Sequence, residues 1–343
     1  MSIPEMSLMN SRRITDKKKS WVLPVSAALL LMTCLCGCAS FRTGDPLQND
    51  NDDLPVVVST IFPGYDFARN IAGDDAKVIQ LLAPGAESHT YEPTPQDMLL
   101  IRQCDVFVYA GGESDTWLED ILSETDASHR IVVSMMDACD ALVEEETEGM
   151  QEGGILAELF SEEEEEYDEH TWTSPVNAVK ICSAICEAMC DAAPQYADHY
   201  RENLDEYSAA LSDLDSRYRT ALSDGLSKKI VVADRFPFRY LCEEYGIEYR
   251  AAFPGCSDNA EVTADSLMTL CDYVEANSIP VVFTIEFSSG KIADSICEVT
   301  GAKRMLLHSC HNVSDMSDSY IGIMDQNLAN LVEAMDFNDQ HDN

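Results

Sequence analysis

Three histidines of this sequence lie beside the ends of predicted strands or just before predicted helices. His89 stands within the loop 83–95, His170 within the segment 168–175, and His308 closes the last predicted strand. Open α/β sheets bind ligands at such positions, and imidazole is a common ligand of Zn2+. We therefore expect these three histidines to meet around a metal ion.

The elements that must bring the histidines together alternate between strand and helix, a rhythm typical of parallel sheets covered by helices on both faces. It predicts strands over residues 55–60, 76–82, 105–110, 130–134, 229–233, 248–252, 280–285 and 304–308. Between the two halves, apolar residues at spacings of three and four predict one helix over residues 194–223. Such a helix is about 45 Å long. The predicted fold class is therefore α/β, with two parallel-sheet lobes joined by one long rigid helix and the metal site in the cleft between them.

Five parts are predicted along the chain: a lipoprotein signal peptide over 1–37, a tether over 38–53, an N-terminal α/β lobe over 54–192, a linking helix over 193–225 and a C-terminal α/β lobe over 226–343. The first lobe includes an acidic insert, residues 142–169, with an unbroken run of glutamates over 162–166. Charge runs are usually solvated segments. The alternative is that the insert concentrates cations near the metal site.

The N-terminus has the pattern of an export signal. Five basic residues between positions 12 and 19 precede an apolar run over 21–36, which is shorter than the roughly 20 residues of a membrane span. The run leads into Leu35-Cys36-Gly37-Cys38, which resembles a bacterial lipobox, so we expect lipidation of Cys38. An uncleaved anchor helix is the alternative. Both predict an extracytoplasmic protein anchored to the bacterial cell membrane.

The charge of the chain limits its partners. The sequence has 22 basic and 62 acidic residues, a net charge of −40, and removal of residues 1–37 leaves 17 basic and 60 acidic residues. Such a charge disfavours nucleic acid and broad contact with anionic membrane surfaces. It suits a protein that attracts cations, although solubility alone explains the same composition. We expect a monomer with no nucleic-acid partner.

Two of the histidine segments resemble a known family. Residues 84–95, Pro-Gly-Ala-Glu-Ser-His-Thr-Tyr-Glu-Pro-Thr-Pro, are similar to the first-ligand signature of the zinc/manganese solute-binding proteins of ABC importers, and residues 168–175 resemble the second. The resemblance extends from about residue 54 to residue 335. It implies two α/β lobes bridged by a rigid helix, a metal ion held between them, and delivery of that metal to an ABC importer permease.

The sequence departs from the family pattern at two ligand positions. The position of the third ligand, usually His or Glu, falls on Arg235, and a guanidinium has no free lone pair. The neighbouring Asp234 is the nearest substitute, unless it caps a helix or pairs with Arg235. The fourth position, typically Asp, is His308. The predicted ligands are therefore His89, His170, His308 and Asp234, with Glu286 and His311 as further candidates.

The donor types of this set favour one metal. Three imidazoles and one carboxylate in a tetrahedral arrangement suit Zn2+, whereas Mn2+ prefers more oxygen ligands. We expect a zinc receptor, with a manganese receptor of the same family as the alternative. A zinc-dependent hydrolase is a weaker alternative, because no His-Glu-x-x-His or Gly-x-Ser-x-Gly motif occurs, and we expect no enzymatic activity. A surface adhesin that uses the acidic insert for cell adhesion is the third reading.

Overall fold

The computed structural model of the protein describes residues 54–88, 91–124, 129–150, 166–223, 227–255 and 262–339. The predicted signal peptide and tether, the predicted lipidation site Cys38 and most of the glutamate run lie outside these residues. Each helix in the described ranges is too short or too polar to cross a membrane. The predicted domain boundaries stay predictions.

The first sheet is built from short runs rich in β-branched residues, which favour strands. Its parallel strands are β1 (Val56–Ser59), β2 (Lys77–Gln80), β3 (Val106–Tyr109) and β4 (Ile131–Ser134), in the spatial order β2-β1-β3-β4. The helices of this half are α1 (Phe62–Ala72), α2 (Pro95–Gln103), α3 (Trp117–Glu124) and α4 (Pro175–Ala192). Thr94 and Asp97 form a capping box at the start of α2.

A long helix, α5 (Ala197–Ala221), follows this half of the chain. It is shorter than predicted, because Pro194–Tyr196 form a separate 3-10 turn and Tyr196 is not α-helical. At 25 residues the helix spans about 37 Å. The hydroxyl of Tyr207 in α5 donates to Asp66 in α1, with 2.9 Å between the oxygens.

The second sheet repeats the order of the first. Its parallel strands are β5 (Lys229–Arg235), β6 (Glu248–Phe253), β7 (Val281–Thr284) and β8 (Lys303–Leu306), in the order β6-β5-β7-β8. Its helices are α6 (Arg239–Tyr245), α7 (Ala264–Ala276), α8 (Lys291–Thr300) and α9 (Tyr320–Asp339). The structure confirms the predicted fold class of two parallel-sheet α/β lobes.

One main hydrophobic core runs through both halves of the chain. It includes strand residues of both sheets and the fully buried Trp172 and Tyr320. The hydroxyl of Tyr218 in α5 donates to the carbonyl oxygen of Met324 in α9 at 2.7 Å. The hydroxyl of Tyr320 donates to the carbonyl oxygen of Trp172 at 2.6 Å. The start of α9 is therefore held against α5 and against the segment that precedes α4.

Candidate metal centre

His170 belongs to the short segment that leads into α4. The chain pairs briefly with itself at an isolated antiparallel bridge between Val143 and Tyr167, which comes just before His170. A 3-10 turn, Thr171–Thr173, follows, and Ser174 then caps α4. Because both sides of His170 are fixed by regular hydrogen bonding, the fully buried ring has a defined position.

Asp168 determines which nitrogen of His170 faces a ligand. Its Oδ1 accepts from the backbone N–H of His170 at 2.8 Å and lies 2.9 Å from the ring Nδ1. A carboxylate only accepts hydrogen bonds, so this network assigns the proton of the neutral ring to Nδ1. Nε2 is then the nitrogen that carries the lone pair a metal requires, an arrangement common among histidine ligands.

His311 approaches His170 from the loop after β8. The N–H of Phe62, at the start of α1, donates to the carbonyl oxygen of His311 at 3.0 Å. The two imidazole rings meet edge to face, with centroids 4.7 Å apart and an interplanar angle of 88°. The Trp172 ring packs against both, at centroid distances of 5.4 Å from His170 and 5.0 Å from His311. Elements of both lobes thus hold this histidine pair.

Glu169 places a carboxylate beside the two rings. Its Oε2 accepts from the backbone N–H of Ser114 at 3.1 Å, and its Oε1 accepts from the Ser114 hydroxyl. The carboxylate can approach this closely because residue 112 is glycine: a Cβ there would lie 2.8 Å from the Cβ of Glu169. Gly112 also has a φ of 92°, which side chains rarely adopt.

Together these residues form a compact donor set. Ligand atoms of Glu169, His170 and His311 all lie within 4.8 Å of one another, and all three residues are buried. Two imidazole nitrogens and one carboxylate oxygen are typical zinc ligands. The arrangement can therefore hold a divalent cation with three protein ligands.

Burial and charge shift the proton affinities of this group. Burial by itself lowers the pKa of His170, but the carboxylates of Asp168, Glu169 and Glu144 outweigh it and leave the pKa above its ordinary value. Burial raises the pKa of Glu169, with partial offset from His170 and Ser114. Burial and the nearby Glu169 charge raise the pKa of Asp115 to about 7. A metal cation entering here displaces protons as it binds.

Comparison with known proteins identifies the family of the chain. A family profile described as zinc-uptake complex component A, periplasmic (ZnuA), matches residues 57–334.

The chain belongs to the ZnuA family.

Individual relatives agree with this assignment. The high-affinity zinc uptake system protein ZnuA of Bacillus subtilis is 32% identical over 322 residues, which cover 92% of this chain and 98% of that protein. The zinc-binding lipoprotein AdcA of Streptococcus pneumoniae is 30% identical over 314 residues, and this chain spans 60% of its length. The crystal structure of the Zn(II)-bound ZnuA-like domain of AdcA matches with a TM-score of 0.67 at 27% identity, covering 82% of this chain and 99% of that domain.

Of the predicted ligands, His170 lies within the donor set, and His89 lies outside the described residues. The residues on either side of His89 are informative. Ser88 and Tyr91 line a small cavity together with Glu169 and His311. The first ligand signature of the ZnuA family is therefore adjacent to the donor set.

His308 lies apart from the donor set found among the described residues. Its Nδ1 accepts a hydrogen bond from the backbone N–H of Cys310 at 3.0 Å, which leaves the proton of the neutral ring on Nε2. It borders a surface groove with Leu306 and Asp318. The donor set instead includes His311, the further candidate three residues along the chain, and the prediction that His308 is a ligand stays a prediction.

Asp234 is likewise absent from the donor set found in the described residues. Its Oδ1 accepts from the backbone N–H of Arg235 at 3.1 Å, and burial raises its pKa, with partial offset from a Ser288 hydrogen bond. Arg235, which falls on the position predicted for the third ligand, forms an ion pair with Glu87, with 3.1 Å between Nη1 and Oε1. This ion pair joins the two lobes, and the prediction that Asp234 is a ligand stays a prediction.

Glu169 is not among the ligands predicted from the sequence. The residue stands in the second signature next to His170, but only the histidine was carried over from the family pattern. The signal that identifies it is its nearly complete burial beside two imidazoles.

Proposed function

We propose that this chain captures Zn2+ outside the cytoplasm and delivers it to the permease of an ABC importer. The observation that carries the proposal is the buried group of Glu169, His170 and His311, whose ligand atoms lie within 4.8 Å of one another. Membership of the zinc-uptake family and the names of its relatives agree with this function. Zinc is the transported ligand, so the site must release it as well as bind it.

The proposed fourth ligand is His89. The loop that carries it is tied to the His311 loop by the Asn312 side chain, whose amide donates to the carbonyl oxygens of Ala83 and Ala86 at 2.7 and 2.9 Å. This tie supports His89 as the partner of the donor set, and three imidazoles with one carboxylate are ligands that suit tetrahedral Zn2+ better than Mn2+. The proposed set replaces His308 and Asp234 with His311 and Glu169.

A shell of four protein ligands also supports a binding role without catalysis. Catalytic zinc keeps one position open for water, whereas a closed shell leaves no position for a reacting molecule. We propose that the protein acts as a monomer and that a lipid on Cys38 holds it at the outer face of the cell membrane. The lipobox-like sequence before Cys38 supports the anchor.

Competitive metal titration tests the proposal. The chain from residue 39 onward is stripped with a chelator and titrated with Zn2+ and Mn2+ in the presence of a chromophoric competitor. The expected result is one tightly bound Zn2+ per chain that excess Mn2+ does not displace. Weak binding of both metals, or preference for Mn2+, would contradict the proposed function.

A further inference from the structure

Glu286 lies in the loop after β7 with a side chain that is only 7% exposed, and neither the donor set nor the ion pair of Arg235 includes it. Its Oε2 accepts from the backbone N–H of Ser309 at 2.7 Å, and its Oε1 accepts from the Ser309 hydroxyl. The same hydroxyl oxygen lies 2.9 Å from Nδ1 of His311 and accepts from the His311 backbone N–H at 3.3 Å. Glu286, Ser309 and His311 thus form a continuous chain of hydrogen bonds.

The donor and the acceptor of each of these hydrogen bonds follow from the number of protons that the groups carry. Ser309 has one hydroxyl proton and two lone pairs. The carboxylate of Glu286 only accepts, so the hydroxyl proton points to Glu286. Both lone pairs of the oxygen then face His311, one toward its backbone N–H and one toward Nδ1. Nδ1 therefore carries the ring proton, and Nε2 keeps its lone pair.

We propose that Glu286 is a positioning residue for zinc capture: acting through the Ser309 hydroxyl, it holds His311 in the tautomer that offers Nε2 to the metal. The inference rests on the proposed function, in which His311 is a ligand. The sequence suggested Glu286 as a candidate ligand, whereas in this proposal it does not contact the metal. Asp168 does the same for His170 by direct contact, so each imidazole has its own carboxylate.

The surroundings of Ser309 hold it in place between Glu286 and His311. Its carbonyl oxygen accepts from the indole N–H of Trp172 at 2.9 Å, and the residue is almost fully buried. The same Trp172 packs against both histidine rings. The backbone of Ser309 therefore has a defined position between Glu286 and His311, and the direction of the hydroxyl proton depends on what Glu286 presents to it.

Replacement of one carboxylate oxygen of residue 286 by an NH2 group reverses the direction of the hydrogen bonds from residue 286 through Ser309 to His311. In Glu286→Gln the one remaining oxygen takes the Ser309 backbone N–H, because that group can only donate. The new amide NH2 then faces the hydroxyl oxygen and donates to it. The hydroxyl proton turns to Nδ1 of His311, and the ring proton moves to Nε2, where the metal must bind. The exchange preserves the volume of the side chain and so tests chemistry rather than packing.

The experiment combines zinc affinities with the tautomer of His311. Glu286→Gln, Ser309→Ala and the double variant are titrated with Zn2+ against a chelator, and 15N spectra of the zinc-free proteins report the protonated ring nitrogen. His308→Ala is the matched control: Nδ1 of His308 lies 3.5 Å from Oε1 of Glu286, but His308 takes no part in the hydrogen bonds that join Glu286 to Ser309 and Ser309 to His311. We expect each single variant to bind Zn2+ about 10- to 100-fold more weakly. The double variant is expected to bind Zn2+ no more weakly than the single variant with the lower zinc affinity, because residues that act in one network do not have additive effects.

Three outcomes would overturn the inference. The first is a zinc-free wild type in which Nε2 of His311, not Nδ1, carries the proton. The second is wild-type affinity in Ser309→Ala beside a large loss in Glu286→Gln, which would make Glu286 a direct ligand. The third is additive losses in the double variant. Failure of the wild type to bind Zn2+ at all would overturn the proposed function and the inference with it.

Discussion

The imidazole ring of His170 meets that of His311 edge to face at a centroid distance of 4.7 Å, although one residue precedes α4 and the other follows β8. The two rings come from different lobes, so the donor set exists only when both lobes are in place. Zinc bound there bridges the lobes. Metal binding is expected to stabilise the folded chain by mass action, because the unfolded chain has no such site.

The contact between His170 and Gly255 gives a first prediction. A Cβ at residue 255 would lie 3.1 Å from Cε1 of His170 and 3.0 Å from the carbonyl oxygen of Phe236. The backbone atom cannot yield easily, so Gly255→Ala is expected to displace the ring and weaken zinc binding about tenfold. The measurement is the zinc dissociation constant by chelator competition.

Gly301→Ala is the matched control for this prediction. Gly301 has a φ of 78° and no atom within 4 Å of an added Cβ, so the change strains the backbone without touching the site. It is expected to lower stability while leaving zinc affinity at the wild-type value. Equal zinc affinity in Gly255→Ala and the wild type would argue against His170 as a ligand in this geometry.

The pH dependence of zinc binding follows from the raised pKa of His170. The ring holds its proton to a higher pH than free histidine, whose pKa is about 6.5. Zinc needs the neutral ring, so affinity is expected to fall with decreasing pH from a point above that value, by about tenfold per pH unit. Without zinc, the ion pair between protonated His170 and Asp168 stabilises the fold at pH values below the ordinary histidine pKa. This contribution is lost as the pH rises through the raised pKa of His170.

Asp168→Asn tests the cause of that shift. The change removes the largest influence that raises the pKa of His170 and leaves burial, which lowers it. The midpoint of the zinc affinity profile is expected to move to lower pH. An unchanged midpoint, measured by chelator competition over about pH 5 to 9, would mean that another group controls the profile.

The hydrogen bond between α5 and α1 gives a prediction about stability alone. Asp66 is fully buried, and it accepts from Tyr207 in α5 at 2.9 Å and from the backbone N–H of Tyr320 at 3.2 Å. Tyr207→Phe leaves this carboxylate short of one donor, so the free energy of unfolding is expected to fall by about 1–3 kcal/mol. Urea denaturation of the zinc-free protein measures it. Unchanged stability, or a loss of zinc affinity, would contradict this role.

The fold could be predicted largely from the sequence, because apolar runs and helix caps are local signals. Val56–Ser59 and Val281–Thr284 are buried strands of the kind that short apolar runs predict. The start of α5 was less predictable. Amphipathic spacing continues through Pro194–Tyr196, whereas the backbone there turns as a 3-10 helix before Ala197.

The donor set was harder to predict, because side-chain direction after a strand depends on the backbone. His308 follows β8 closely and matches a ligand position by alignment, whereas His311 lies three residues further on. Between them Cys310 has a φ of 65°, a left-handed conformation that is uncommon for a residue with a side chain. This turn breaks the regular alternation of the strand and brings His311 to His170. Spacing alone does not reveal it.

In the proposed ligand set His311, and not His308, holds the metal beside His170. The most direct test compares the zinc affinities of His311→Ala and His308→Ala by chelator competition at neutral pH. We expect His311→Ala to bind Zn2+ more than about 100-fold more weakly, a larger loss than outer partners of a metal site cause, and His308→Ala to match the wild type. Full affinity in His311→Ala together with a collapse in His308→Ala would contradict the proposed ligand set.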